Sequence, residues 1–138
     1  MVSETDNALK KGYTIALDCD VSEKTFSSKF RIAVLPQNIE DNEKALTYIV
    51  TENNISPEYR QQEFENYNTT DDHLMHFVGI TKDQFGNKYF LTKNSWSKES
   101  NKFGGYLNMS DKYIRLRTVA IMVHKEAIPQ KIAKKMIK

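Results

Sequence analysis

This 138-residue chain holds three histidines and one cysteine, side chains suited to general-base and nucleophilic chemistry near neutral pH. The most suggestive pair lies within residues 71–96, DDHLMHFVGITKDQFGNKYFLTKNSW, where His73 is followed at a distance by Asn94. A histidine acting as general base must offer one ring nitrogen to its nucleophile, and an acceptor on the other nitrogen fixes the tautomer and the ring plane. A carboxamide oxygen is such an acceptor. With a thiol, His and Asn would complete a Cys–His–Asn arrangement for nucleophilic hydrolysis. The one thiol, Cys19, falls mid-strand on an apolar face, without the helix N-terminus or adjacent cation that a stable thiolate needs, so it reads as packing. A zinc site from His73, His76 and His124 is disfavoured, because residues three apart on a strand diverge. Asp71 and Asp72 are most simply a turn pair.

The elements that must position this pair are a hairpin. His73, Met75, Phe77 and Gly79 alternate with Leu74, His76, Val78 and Ile80, the period of a strand. Asp83, Gly86 and Asn87 tolerate tight-turn dihedrals, and residues 89–92, YFLT, resume a β-prone run. The hairpin returns Asn94 to the open end where His73 starts, with Trp96 beside them. With the turn centred near Phe85, however, a regular ladder sets Asn94 opposite His76, and the two histidines point to opposite faces. Either a bulge shifts the register or His76 is the partner of Asn94; spacing leaves both open.

The stretch His73-Leu74-Met75, followed by Lys93-Asn94-Ser95-Trp96, Gly105-Tyr106 and Met109-Ser110-Asp111, resembles the carboxy-terminal half of papain-like peptidases of the bleomycin hydrolase and aminopeptidase C group. Residues 8–13, ALKKGY, leading into a β-run, are similar to the segment entering the second lobe of those enzymes. The resemblance covers nearly the whole chain. It implies that His73 is the general base, that Asn94 orients it, and that Trp96 shields their hydrogen bond from water. Two departures stand out. Ser97 occupies the place where the family usually has glycine, and the family's nucleophilic cysteine, at a helix start preceded by an oxyanion-hole glutamine, has no counterpart.

Length predicts a single domain over residues 1–138, short for a two-lobed enzyme. Twenty Lys and Arg against 18 Asp and Glu, a net charge of +2, give no argument for nucleic acid or membrane as partner. One cysteine excludes an intramolecular disulfide and a cysteine-rich metal site. No apolar run reaches the length of a membrane span, and the polar start MVSETDNALKK is unlike a signal peptide, which makes the cytoplasm the default location.

The remaining elements follow from local signals. Ser3 is the expected cap of a helix through Lys11, stopped by Gly12. Residues 13–20 alternate as a half-buried strand. Residues 21–37 read as loop with one short strand around 30–35. A helix is expected from Asp41 to Val50, with Ala45, Leu46, Ile49 and Val50 at helical spacing. Another should start at Ser56-Pro57 and run through Phe64. Residues 68–72 form the loop that delivers His73, and 98–104 a surface loop. A strand over 106–109, one helical turn from Ser110 through Ile114, a central strand over 118–124 and a basic amphipathic helix over 129–138, docked by Ile132, Met136 and Ile137, complete the chain. The class is α+β: an antiparallel, partly barrel-like sheet with peripheral helices, the second lobe of a papain-like fold.

Three functions fit these readings. The chain is the His/Asn lobe of a cysteine peptidase of aminopeptidase type, acting on peptide with no cofactor and no metal, and inactive until a complementing nucleophile lobe joins it. Alternatively it is a non-catalytic peptide- or protein-binding module derived from that lobe, whose unpaired apolar face would favour a homo-oligomer. The third is a self-sufficient hydrolase pairing Cys19 with His73.

Overall fold

The structure, a computed structural model, describes residues 2–96, 99 and 102–136. Its strands are β1 (Ile15–Cys19), β2 (Phe26–Ser27), β3 (Ile32–Ala33), β4 (His73–Lys82), β5 (Lys88–Asn94), β6 (Tyr106–Ser110) and β7 (Thr118–Val123). The helices are α1 (Val2–Lys10), α2 (Asn42–Ala45), α3 (Pro57–Glu65), α4 (Asp111–Arg117) and α5 (Gln130–Met136). The seven strands form one sheet in the order β2-β3-β6-β5-β4-β1-β7. Neighbours are antiparallel except β3 and β6. The architecture is α+β, and the sheet stays open: β2 and β7 are its two edges.

Alternation decides which face is buried. Ile15, Leu17 and Cys19 of β1, Met75 and Phe77 of β4, Phe90 of β5, and Leu107 and Met109 of β6 share one face, against which Ala8 of α1 and Tyr113 and Ile114 of α4 pack. Phe77 stacks on Phe90 with ring centroids 5.1 Å apart, and each such fully buried ring contributes on the order of 2–3 kcal/mol. His73 and Asn94 belong to this same face at its end, where the apolar core gives way to the site.

Capping explains where α3 and α4 start. Ser56 Oγ accepts the Tyr59 N–H at 3.1 Å and Pro57 takes the first helical position, where its missing N–H costs nothing. Ser110 Oγ accepts the Tyr113 N–H at 3.1 Å and starts α4 directly off β6. That helix runs past Ile114 to Arg117, longer than the single turn expected, because Tyr113, Ile114 and Leu116 all find the core.

Several expectations are corrected. The helix through Val50 is only α2, preceded by a 3-10 turn at Ile39–Asp41. The chain beyond it is drawn into extended pairing instead, with the Gln37 N–H on Thr51 O and the Asn53 N–H on Leu35 O, and β-branched Ile49, Val50 and Thr51 suit that pairing. In the predicted loop of 21–37 two short strands form rather than one around 30–35. α1 starts at Val2, so Ser3 lies inside it, whereas Gly12 stops it with a φ of 83° as expected. β7 is an edge strand, not a central one: its outward residues Ala120 and Met122 are exposed, Met122 to 74%. α5 buries no residue, Met136 being 67% exposed, so the tail helix does not dock as anticipated; Ile137 lies outside the described residues. So do Ser97, and Lys98, Ser100 and Asn101 of the region 98–104 read as a surface loop.

Candidate active site

The register question is answered by a bulge. Near the turn the ladder is regular, pairing Ile80 with Phe90 and Gly79 with Leu91, but between Phe77 and Gly79 it slips by one residue at Val78. Beyond the slip Phe77 pairs with Thr92 and Met75 with Asn94. Asn94 therefore shares a face with Met75 and His73, and His76 faces the other way, opposite Lys93. His76 is exposed on that outer face, not a core or cleft histidine.

His73 Nε2 and Asn94 Oδ1 lie 2.7 Å apart. The Trp96 N–H donates to the same Asn94 atom at 3.2 Å, which makes that atom an acceptor and therefore the amide oxygen. The proton between imidazole and amide accordingly belongs to Nε2, and Nδ1 keeps its lone pair free to take a proton from elsewhere. Asn94 itself is only 1% exposed. Its backbone N–H donates to Gly105 O at 3.0 Å and its carbonyl accepts from Lys93 Nζ at 2.6 Å. Its Nδ2, also buried, has no acceptor among the described residues. Such an unpaired donor costs about 1–3 kcal/mol, the kind of local expense that concentrates at functional sites.

Trp96 covers the pair. Its ring centroid is 5.1 Å from that of His73, tilted by 36°, and it meets Phe26 edge-on at 5.9 Å. Phe26 in turn touches Tyr113 at 6.2 Å, so the aromatic cover is anchored to α4. Phe26 was missed in the sequence, and Gly105, singled out there within the motif, has a supporting role that the motif did not reveal. Gly105 has a φ of 81°, and a Cβ there would lie 3.0 Å from Trp96 O. The Gly104-Gly105 dipeptide was the available signal, since consecutive glycines mark backbone that no side chain can follow. Gly105→Ala is expected to lower stability by about 1–3 kcal/mol and to displace Trp96; a urea midpoint and tryptophan emission maximum both unchanged would contradict this.

Cys19 is the cross-strand neighbour of His73 in the ladder of β1 and β4, a proximity spacing did not reveal. Its thiol is nonetheless fully buried, with Sγ donating to Asp20 O at 3.4 Å. Burial pushes the thiol pKa far up, and the nearby Asp20 and Asp18 carboxylates push the same way. A thiol held neutral is neither nucleophile nor ready target. Iodoacetamide should therefore label Cys19 in the native chain at least about a hundredfold more slowly than in urea; equal rates would restore it as a candidate nucleophile.

Asp71 and Asp72 are engaged locally. Burial and the adjoining Asp71 hold the Asp18 carboxyl above its ordinary range. Asp72 accepts the Thr70 hydroxyl at 2.6 Å and the Val21 N–H at 3.4 Å. A groove of about 350 Å³ lined by Val34, Ala45, Glu52 and Tyr89 includes neither His73 nor Asn94, and its position at the other end of β5 gives it no part in their chemistry. Among the described residues, no helix is long and apolar enough to cross a membrane.

Residues 2–138 match the Peptidase C1-like family, and the chain belongs to that family. Among solved structures it is similar to PepW from Lactobacillus rhamnosis HN001, with a TM-score of 0.65 at 19% identity over 98% of this chain. Bromelain from Ananas comosus, solved with the inhibitor E64, is also similar, at 16% identity over 80% of this chain and 40% of its own, with a TM-score of 0.41. This chain spans 29% of the PepW chain. No curated protein matches it.

Proposed function

We propose that this chain is the lobe of a papain-like cysteine peptidase, of aminopeptidase type, that carries the general base His73 and its orienting Asn94, and that it hydrolyses peptide bonds only together with a lobe bearing the nucleophilic cysteine. The observation that supports this most is the bond from His73 Nε2 to Asn94 Oδ1, which leaves Nδ1 as the basic nitrogen. In the assembled site, Nδ1 takes the proton of the incoming thiol, and the thiolate attacks the peptide carbonyl. The imidazolium then returns that proton to the leaving amine, which departs with an acyl thioester left behind. A water, deprotonated at the same Nδ1, releases the acyl group and restores the thiol. Asn94 holds the ring in plane throughout, Trp96 keeps water off the bond between them, and the other lobe supplies the oxyanion donors.

The test is hydrolysis of an aminoacyl-coumarin by the purified chain, alone and mixed with a separately expressed nucleophile lobe from a related enzyme. Activity only on mixing supports the proposal. Activity of the chain alone would move the nucleophile to Cys19. Silence in both would favour the second reading, a non-catalytic peptide- or protein-binding module, for which the exposed Leu74, Trp96 and Met122 are the supporting observation.

A further inference from the structure

A buried cation on the far side of β1 is tied to the loop that leads into His73. Arg117, 7% exposed, ends α4 where β7 begins. Its Nη1 donates to Asn68 O and, at 2.8 Å, to Thr69 Oγ1. Its Nη2 pairs with Glu23 and lies 3.6 Å from Glu63 of α3. Nη1 is also 3.8 Å from the carboxylate of Asp20, which is fully buried. Asp20 extends the tether: its Oδ2 accepts the Thr70 N–H at 3.1 Å, and its own N–H donates to Arg117 O at 2.9 Å. Burial works against the Asp20 charge, but the Ser22 hydroxyl and N–H, the Thr70 N–H and Arg117 outweigh it and hold this carboxyl below its ordinary range.

Residues 68, 69 and 70 are thus each held by Arg117 or by Asp20, immediately before the chain enters β4 at His73. This loop has no ladder of its own; besides these ties, the Asn68 and Thr69 N–H groups donate to Glu63 O at 2.9 and 3.1 Å, which fixes its start but not its passage through Thr70 to His73. Arg117 and Asp20, by contrast, sit at the ends of elements packed in the core, and a planar guanidinium can satisfy several acceptors in a fixed geometry where an ammonium cannot. A buried ion network of this kind adds little net stability over apolar packing, so what it contributes is position.

Resting on the reading of His73 as the base, we infer that Arg117 is a positioning residue for catalysis: through Asp20 and the 68–72 loop it sets the entry of His73 into the sheet, and so the alignment of Nε2 on Asn94. The readout is the tautomer of His73, which a purely structural role would leave alone in any variant that folds. Long-range proton–nitrogen correlation spectra of the labelled chain at about pH 8 report it, with the exposed His76 and with His124 as internal controls. The unaltered chain is expected to show His73 only as the Nε2–H form. In Arg117→Met, and to a smaller extent in Arg117→Lys, the other tautomer is expected to rise about tenfold or more while His76 and His124 stay as they were. Thr69→Val, close in shape and uncharged, cuts a single bond to the guanidinium and carries the test should the Arg117 variants fail to fold; it is expected to move His73 in the same direction. Folded variants that retain the pure Nε2–H form would overturn the inference while leaving the His–Asn pair intact. Mixed tautomers already in the unaltered chain would overturn the pair itself, and the positioning role with it.

Discussion

His73→Ala is expected to lower kcat/KM of the reconstituted peptidase by about a hundredfold to ten-thousandfold, the range over which a positioned acid–base group accelerates proton transfer. Methyl in place of imidazole removes both the acceptor for the thiol proton and the donor to the leaving amine, so the thiolate is neither formed nor relieved of its product. Asn94→Ala is expected to cost less, about tenfold to a hundredfold, because the base survives but loses the acceptor that fixes its ring. The pair of values discriminates: equal losses would mean that Asn94 acts directly on substrate, and an active His73→Ala protein would sink the assignment of the base. Both variants must be compared at matched concentrations of the complementing lobe, with binding of the two lobes measured independently.

The second large effect is alkaline instability. Cys19 and Tyr113 are fully buried, and the Tyr113 hydroxyl donates to Asp20 O at 3.0 Å. Burial raises the pKa of the thiol far above its ordinary 9.0 and that of the phenol far above 10.0. A group whose folded pKa is raised stabilises fully below its unfolded pKa, and that contribution is lost as pH rises towards the folded value. Below about pH 8 both groups are almost wholly neutral in either state and almost nothing is lost. Above it the unfolded chain releases protons that the folded chain retains, and by pH 11 Cys19 and Tyr113 together should remove on the order of 4 kcal/mol. That is a large share of the 5–15 kcal/mol typical of a domain. Tyr89, its hydroxyl pushed up to about 12 mainly by burial, works in the same direction. Urea midpoints measured from pH 7 to 11 should hold steady up to about pH 8, begin to fall, and fall steeply above about pH 9. A flat curve to pH 11 would mean that these groups reach solvent in the folded state.

What was legible in the sequence was whatever depends on neighbours along the chain. The hairpin, the cap at Ser56, the stop at Gly12 and the inward face of β1 all rest on local periodicity or backbone chemistry, and they form as read. The failures share a cause in tertiary competition. Ala45, Leu46, Ile49 and Val50 have helical spacing, but the helix stops early because the chain just beyond them, Thr51 to Asn53, pairs with the extended segment around Pro36. Residues 118–123 are apolar on both faces, yet nothing covers Met122, because composition does not reveal which strand falls at an edge. For the site, His73, Asn94 and Trp96 could be nominated from motif resemblance, and they do come together. Arg117, Asp20 and Phe26 could not: they lie far from His73 in the chain and belong to no short motif.

The bulge at Val78 gives this hairpin a parity. A strand carries its side chains in a two-beat count, and one extra residue inserts a half-beat that exchanges the face on which every later residue stands. Loss of Val78 itself would only make the ladder regular, with Met75 still opposite Asn94, whereas gain or loss of one residue between the bulge and the turn, with the bulge kept, would turn His73 off the face of Asn94. Lengthening the turn beyond 83–87 leaves the count untouched. The tolerance of this hairpin to insertions is thus decided by arithmetic along one strand, and the chemistry of the deleted side chain hardly enters.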